Sequence, residues 1–149
     1  MKALEGIIIK ELDVFEDQRG WLVEIFREDD MAFRPVMSYV SMTQPGIVRG
    51  PHEHHEQTDF FCFLGNFKVY LWDNRKESKT YMEKMVLDMT GKPFVAIVPP
   101  RIVHAYKNIG QEDALVINLP DRLYRGKKKE FPVDEVRYED NPDSPFRID

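Results

Sequence analysis

The sequence is poor in cysteine and has no long hydrophobic run. Cys62 is the only cysteine among 149 residues, so no disulfide can form within the chain. It lies in the apolar run 60–64, where we expect a buried, unreactive thiol. No segment approaches the ~20 consecutive apolar residues of a membrane-spanning helix, and the first residues lack the apolar stretch of a signal peptide. We therefore expect a cytoplasmic protein with no membrane partner.

An excess of basic residues is also absent. The chain carries 21 Lys and Arg residues against 26 Asp and Glu residues, a formal net charge of -5. Nucleic acid and anionic lipid repel such a chain, so we expect a small-molecule ligand instead. The length fits a single domain that buries a core without disulfides. We predict one domain over residues 1–149, in which residues 130–149, rich in Asp, Pro and Arg, form a surface-wrapping tail.

Helical periodicity is weak along the whole sequence, and only the segment Arg27–Phe33 suggests a short helix. Short runs rich in β-branched and aromatic residues recur instead about every eight to twelve residues, which is typical of an all-β sandwich or barrel. The pair Gly65-Asn66, between two such runs, predicts a β-hairpin. The predicted strands are residues 6–9, 21–26, 36–43, 58–64, 67–72, 81–87, 94–98 and 114–119.

Three of the four histidines lie within four positions, close to an arginine. Because alternate residues of a strand point to the same face, His52 and His54 should project together and His55 should point away. The order His-x-His, acid, glycine, then proline, histidine and asparagine over residues 52–108 resembles the two motifs of the cupin superfamily. That resemblance implies an all-β jelly roll, the cupin-type double-stranded β-helix.

Two chemical uses of these side chains compete. Imidazoles and a carboxylate are suitable ligands for a divalent metal, which His52, His54, Asp59 and His104 would then bind together. Alternatively, one histidine acts as a general base that removes a proton from a carbon next to a carbonyl. We favour the acid–base interpretation and therefore no metal cofactor. A polar barrel rim without a chemical task is the third alternative.

Four segments in the same order resemble the dTDP-4-dehydrorhamnose 3,5-epimerase family. The resemblance spans most of the chain and implies a cupin jelly roll, a homodimer and a role in polysaccharide biosynthesis. It also implies metal-free chemistry on a nucleotide-diphosphate keto-sugar, a 4-keto-6-deoxyhexose, by proton abstraction and return at C3, C5 or both. The segments are Asp17–Glu24, Arg49–His52, Asp73–Tyr81 and Pro99–His104.

The resemblance also implies roles for individual residues. Arg19 would contact the diphosphate and Glu24 the nucleobase, since a guanidinium donates paired hydrogen bonds to phosphate. Arg49 would be a second phosphate or sugar contact, and His52 the general base. His104 lies where the family keeps a pocket histidine, near the developing enolate oxygen, although a cross-strand structural role is an alternative.

The sequence departs from the family pattern at several of these positions. His54 stands where glutamine is common and Asp59 replaces a lysine; we count both as substrate-binding positions, and both changes favour a metal site. Asn118 stands where the family has the tyrosine that returns the proton; an amide cannot act as an acid, and we count Asn118 as a substrate-binding position as well. Tyr124 matches a second family tyrosine that packs on the substrate, and it inherits the donor role if its loop moves inward.

Other functions stay open at this level. The aspartate that orients the catalytic histidine in the family has no clear counterpart, and Asp59 or an acid of the tail is its candidate substitute. The segment Arg49–His54 also resembles the nucleotide-sugar 3,4-ketoisomerases, which use paired histidines as proton shuttles. A sugar-binding cupin without catalytic activity is the remaining alternative.

Overall fold

The structure, a computed structural model, describes residues 3–149. Within that range it is built from strands, with a single short 3-10 turn (Lys127–Lys129), and no helix is long and apolar enough to cross a membrane. The strands are β1 (Ile8–Glu11), β2 (Val14–Asp17), β3 (Gly20–Val23), β4 (Tyr39–Thr43), β5 (Val48–Glu53), β6 (Asp59–Leu64), β7 (Phe67–Asp73), β8 (Lys84–Met89), β9 (Phe94–Val98), β10 (Ile102–Asn108), β11 (Ala114–Asn118) and β12 (Val136–Arg137).

The strands form two five-stranded antiparallel sheets and one separate hairpin. The first sheet has the order β1-β9-β6-β11-β4 and the second has the order β12-β5-β10-β7-β8; within residues 3–149, β2 pairs only with β3. The sheets pack face to face because both contribute side chains to one core, such as Phe61 and Phe63 from β6 and Val69 and Leu71 from β7. The predicted all-β, cupin-type jelly roll is confirmed.

The predicted hairpin at Gly65-Asn66 is wrong, because the chain passes from one sheet to the other at this point. Gly65 and Asn66 do not close a hairpin, since β6 and β7 belong to different sheets. Gly65 has a φ of 140°, and a Cβ there would lie 2.5 Å from the Cβ of Ala114. The glycine therefore serves a tight crossing between sheets, a local conformation that sequence does not distinguish from a hairpin turn.

The predicted helix over Arg27–Phe33 is also absent. Tertiary packing holds this segment in an irregular, extended conformation with one turn. The rings of Phe26 and Phe33 pack on Phe60 of β6, with centroid distances of 5.9 and 5.4 Å. Cys62 is fully buried in the same cluster, as expected, and burial raises the pKa of its thiol to about 11.

The tail is an integral part of the second sheet. β12 pairs with β5, and the Tyr138 hydroxyl donates to the buried carboxylate of Glu53 at 2.5 Å. Phe146 is buried against Tyr138 and Trp72. The tail therefore does more than wrap the surface, because it adds a strand beside the histidine segment.

Candidate active site

A cavity of about 1350 Å³ lies between the two sheets. We call β5 and β10 the histidine wall and β4 and β6 the opposite wall. The histidine wall contributes His52, His104 and also His54, which follows the end of β5, whereas His55 is exposed as predicted. The loop 120–133 and the tail line the mouth.

A β-bulge brings Arg49 and His52 to the same wall. These residues pair with Tyr106 and His104 of β10, so three steps along β5 match two steps along β10. Gly50 lies in the bulge with a φ of 92°, and a Cβ there would lie 2.6 Å from the His104 carbonyl oxygen. Arg49 is then held by hydrogen bonds to Thr43 Oγ1 (3.0 Å) and the Met42 carbonyl (2.7 Å).

His52 is flanked by two carboxylates of the tail. Its Nε2 lies 2.8 Å from Glu139 Oε1, and its Nδ1 lies 3.5 Å from Glu135 Oε1. Arg137 is the cross-strand partner of His52, which explains why acids two residues on either side of Arg137 reach the ring. A proton on Nε2, donated to Glu139, leaves the lone pair on Nδ1, so Glu139, an acid of the tail, is placed to orient the ring, whereas Asp59, the other candidate, lies beside His54 and His104 instead.

The other two pocket histidines share one buried carboxylate. Asp59 Oδ2 lies 3.1 Å from His54 Nε2 and 3.7 Å from His104 Nε2, while Nδ1 of His54 bonds the Asp134 carbonyl. Burial disfavours charge on His54, but Asp59 outweighs it and raises the pKa of His54 to about 9. Burial lowers the pKa of His104 to about 4. The cluster is therefore an ion pair beside a neutral imidazole.

Neither ring nitrogen of His104 points into the cavity. Its Nδ1 lies 3.2 Å from the Ile102 carbonyl oxygen, which requires the proton on Nδ1 and directs Nε2 at Asp59. A neutral ring in this state has no N–H left for a developing enolate oxygen. The geometry therefore supports the cross-strand structural alternative for His104 rather than a catalytic role.

The cluster differs from the predicted four-ligand metal set. Ligand atoms of His54, Asp59 and His104 lie within 4.8 Å of one another, and Asp59 Oδ2 is buried without a hydrogen bond of good geometry. These three residues have the donor types that bind a divalent ion. His52 does not belong to this cluster, and its Nε2 is paired with Glu139 instead.

Asp59 and Asn118 lie behind the opposite wall, which corrects the expectation of direct substrate contact. They are 1% and 0% exposed and do not line the cavity. Asn118 accepts from the Phe60 amide at 3.0 Å and donates to Asp59 and to the Tyr39 hydroxyl, each at 2.8 Å. Both side chains support residues that do reach the cavity.

Arg19 and Glu24 are not brought to this cavity. Arg19, at the β2–β3 turn, pairs with Asp17 and its side chain is 85% exposed. Glu24 follows β3 and lies 3.5 Å from Arg27. Their predicted contacts to a nucleotide therefore stay predictions, since within one chain neither residue lines the cavity.

Several cavity residues escaped the sequence-based prediction. The mouth is lined by Tyr124, a residue that the family resemblance singled out, and also by the basic residues of the loop 122–129, which the prediction did not include. Tyr39 and Tyr106 line the walls. Strand alternation back from Thr43 is the signal that would have marked Tyr39, whereas only the β12–β5 pairing identifies Glu135 and Glu139.

Comparisons with known proteins agree with this architecture. A probable low-salt glycan biosynthesis epimerase of Haloferax volcanii is 39% identical over 130 residues, 83% of each chain. A dTDP sugar isomerase from Desulfovibrio desulfuricans superposes with a TM-score of 0.81 at 24% identity, covering 97% of this chain and 91% of that one.

A second solved structure is of a dTDP-6-deoxy-D-glucose-3,5-epimerase from Legionella pneumophila, in complex with dTDP-4-keto-L-rhamnose. It shares the fold at a TM-score of 0.75 and 20% identity, covering 91% of this chain and 74% of that one. The family model described as dTDP-4-dehydrorhamnose 3,5-epimerase matches residues 1–140. The two-sheet cavity, the histidine segment and this match over nearly the whole chain place the protein in the dTDP-4-dehydrorhamnose 3,5-epimerase family.

Proposed function

We propose that the protein epimerises a dTDP-4-keto-6-deoxyhexose, or a closely similar nucleotide sugar, at C3, C5 or both. The observation that carries the proposal is the His52–Glu139 pair at the cavity wall, with Nε2 and Oε1 2.8 Å apart. A carboxylate on one ring nitrogen orients the imidazole and stabilises the imidazolium that forms when the other nitrogen takes a proton. The ligand of the Legionella relative supports the substrate class.

The proposed chemistry requires a base and a carbonyl. A proton on carbon next to the C4 carbonyl is acidic because the resulting carbanion is an enolate. His52 removes that proton through Nδ1, and Glu135 and Glu139 offset the positive charge that the ring gains. Arg49, anchored by Thr43 and Met42, supplies a fixed guanidinium for an anionic oxygen of the sugar or the phosphate.

The mouth suits the diphosphate of such a substrate. On the loop side, Arg122, Arg125, Lys128 and Lys129 line it against one acid, Asp121, whereas the acids of the tail lie on the side of His52. Positive charge on the loop raises the concentration of an anionic ligand there and favours its capture. Tyr124 lies in the same loop, in reach of a nucleobase or sugar at the mouth.

We extend the proposal to a homodimer. The β2–β3 hairpin exposes Phe15 and Leu22, cross-strand partners on one face, and Trp21 on the other face, to between 58% and 60%, so both faces offer apolar area to a protein partner. A second copy that covers this hairpin would also bring Arg19 and Glu24 to another chain's cavity. We propose that Arg19 and Glu24 contact the nucleotide bound in the cavity of the partner chain.

Solvent exchange tests the function. In deuterium oxide the protein should incorporate deuterium at C3, C5 or both of dTDP-4-keto-6-deoxyglucose, followed by proton NMR, with the carbonyl staying at C4. Substitution His52→Asn should slow exchange by roughly 100-fold or more, the usual contribution of a general base. The matched control is His55→Asn, an exposed neighbour of the same residue type, which should exchange normally.

The same assay tests the partner of the base. Glu139→Gln keeps the side-chain shape but removes the charge, and we expect at least a tenfold slower exchange, within the range of acid–base effects. Glu130→Gln, an exposed acid that does not line the cavity, is the control. A carbonyl at C3 would instead show ketoisomerisation, and binding without exchange would show a sugar-binding protein.

The proposed reaction uses no metal ion, since His52 lies outside the cluster of His54, Asp59 and His104. Exchange should therefore survive treatment with a chelator. A stoichiometric ion lost together with exchange would contradict the metal-free proposal.

A further inference from the structure

Inversion at a carbon requires two groups, one on each face of the enolate. The inference below rests on the proposed function, which assigns the base, His52, to β5 of the second sheet. The returning acid must therefore come from the opposite wall. Asn118 occupies the position at which the family resemblance implies a tyrosine, so the acid of this chain must be sought elsewhere.

Tyr39 is the cross-strand partner of Asn118. The register of β4 and β11 pairs these two residues directly. Along β4, Tyr39 and Ser41 line the cavity, whereas Val40 and Met42 are 61% and 43% exposed on the outer face. The phenol of Tyr39 therefore lies beside the position that lost a tyrosine, on the wall opposite His52.

The hydrogen bonds of Asn118 determine which way the phenol faces. The Phe60 amide can only donate, so the atom of Asn118 that it meets at 3.0 Å is the carbonyl oxygen. The amide nitrogen then donates to Asp59 Oδ1 and to the Tyr39 oxygen, each at 2.8 Å. Since the Tyr39 oxygen accepts from the protein, its own proton is available to the cavity.

We propose that Tyr39 is the acid that returns the proton to the substrate face turned away from His52. The phenolic O–H bond breaks and a C–H bond forms at the enolate carbon, while the enolate electrons restore the C4 carbonyl. The phenolate left behind accepts the Asn118 N–H, and Asn118 is itself locked by Asp59 and Phe60. Proton loss from the His52 imidazolium and proton gain by the phenolate through solvent complete the turnover without net proton change.

The other cavity phenols are less well placed. Tyr106 lies on β10, in the same sheet as His52. Tyr124 lies in the mouth loop rather than on the wall opposite His52, and its exposure of 51% is close to the 46% of Tyr39, so position and not exposure separates the two phenols. Partial burial and the nearby Asp59 carboxylate raise the pKa of Tyr39 to about 12, so the phenol carries its proton at neutral pH.

The test separates proton removal from inversion. In deuterium oxide, His52 alone still exchanges the substrate proton on its own face, whereas only the opposite acid yields the epimer. For Tyr39→Phe we expect the ratio of epimer formation to deuterium wash-in to fall at least ~100-fold, the scale of a lost general acid. Tyr39→Gln, which puts a polar amide without an acidic proton at this position, should show the same loss. Tyr81→Phe, exposed and outside the cavity, is the matched control and should keep the wild-type ratio.

The ratio is insensitive to the amount of folded enzyme, because a loss of folded protein lowers both rates equally. An unchanged ratio in both Tyr39 variants would overturn the inference, as would a collapse of the ratio in Tyr124→Phe with Tyr39 variants unaffected. Wild-type protein that neither exchanges nor epimerises would reject the proposed function itself. Wild-type exchange with a normal ratio in Tyr39→Phe would reject only the role of Tyr39.

Discussion

At the scale of single residues, the cavity contains three histidines in three different electrostatic environments. His52 faces two tail carboxylates, His54 forms an ion pair with Asp59, and the buried ring of His104 is neutral. A carboxylate that accepts a hydrogen bond from a histidine favours the protonated ring, or the neutral tautomer with its proton on that nitrogen. Burial alone favours the neutral ring. The partner of each ring, rather than its place in the histidine segment, therefore decides what that ring can do.

The raised pKa of His54 predicts a pH dependence of stability. The pKa is about 9 in the folded protein against an ordinary 6.5, so folding favours the protonated ring. Its contribution to the free energy of unfolding is fully present below pH 6.5 and is lost as pH rises towards 9. Urea unfolding at intervals across this range should show declining stability.

The substitution His54→Gln removes the titrating ring and should flatten that alkaline decline. His55→Gln, exposed and without a carboxylate partner of this kind, should leave it unchanged. An equally steep decline in His54→Gln would show that another group is responsible.

At the scale of elements, the bulge in β5 and the short strand β12 assemble the site. The bulge places Arg49 and His52 on one wall, and β12 delivers Glu135 and Glu139 to the His52 ring. Neither element is large, but each is held by pairing to the sheet, which gives the side chains defined positions.

Gly50 should therefore be far less replaceable than a glycine of positive φ with open space around it, such as Gly46. In Gly50→Ala the new Cβ would lie 2.6 Å from the His104 carbonyl oxygen. We expect the free energy of unfolding to fall by roughly 3 kcal/mol and deuterium incorporation into the substrate to slow. Gly46→Ala is the matched control, since its φ is 77° but nothing lies within 4 Å of its Cβ. Its cost should be only about 1 kcal/mol. Equal losses in the two variants would contradict the role of the close contact.

At the scale of the whole molecule, the β2–β3 hairpin stands apart from both large sheets and exposes its apolar side chains. An isolated two-stranded hairpin has little stability of its own, so contact with a partner would stabilise it. The proposed homodimer uses this surface.

Trp21→Asp should weaken the dimer, because it places a charge in an apolar contact. Sedimentation velocity should give twice the 17.6 kDa chain mass for the wild type and a shift towards the monomer for the variant. Ile109→Asp, a change at an exposed apolar residue elsewhere, should leave the mass unchanged. A wild-type protein that sediments as a monomer would contradict the dimer.

The part of the fold that sequence predicts is the part made by continuous apolar runs. β6, β7 and β9 coincide with their predicted ranges to within a residue. The predicted strands omit β10, whose buried positions include His104 and Asn108, polar side chains that an apolar pattern does not reveal. They also omit β12, whose two residues form a strand only because β5 is beside them.

The sequence by itself determined the all-β class, the family, and the histidines and arginine that the cavity would contain. Those inferences depend on residue type and short spacing, which the chain displays directly. Tertiary structure alone decided that His52 is the ring held by tail carboxylates, since its partner Glu139 is 87 residues away. It also decided that Asn118 and Asp59 are buried supports for Tyr39 and His54. Hydrogen-bond partners and burial are set by strand register across the sheets, and a linear pattern does not contain that register.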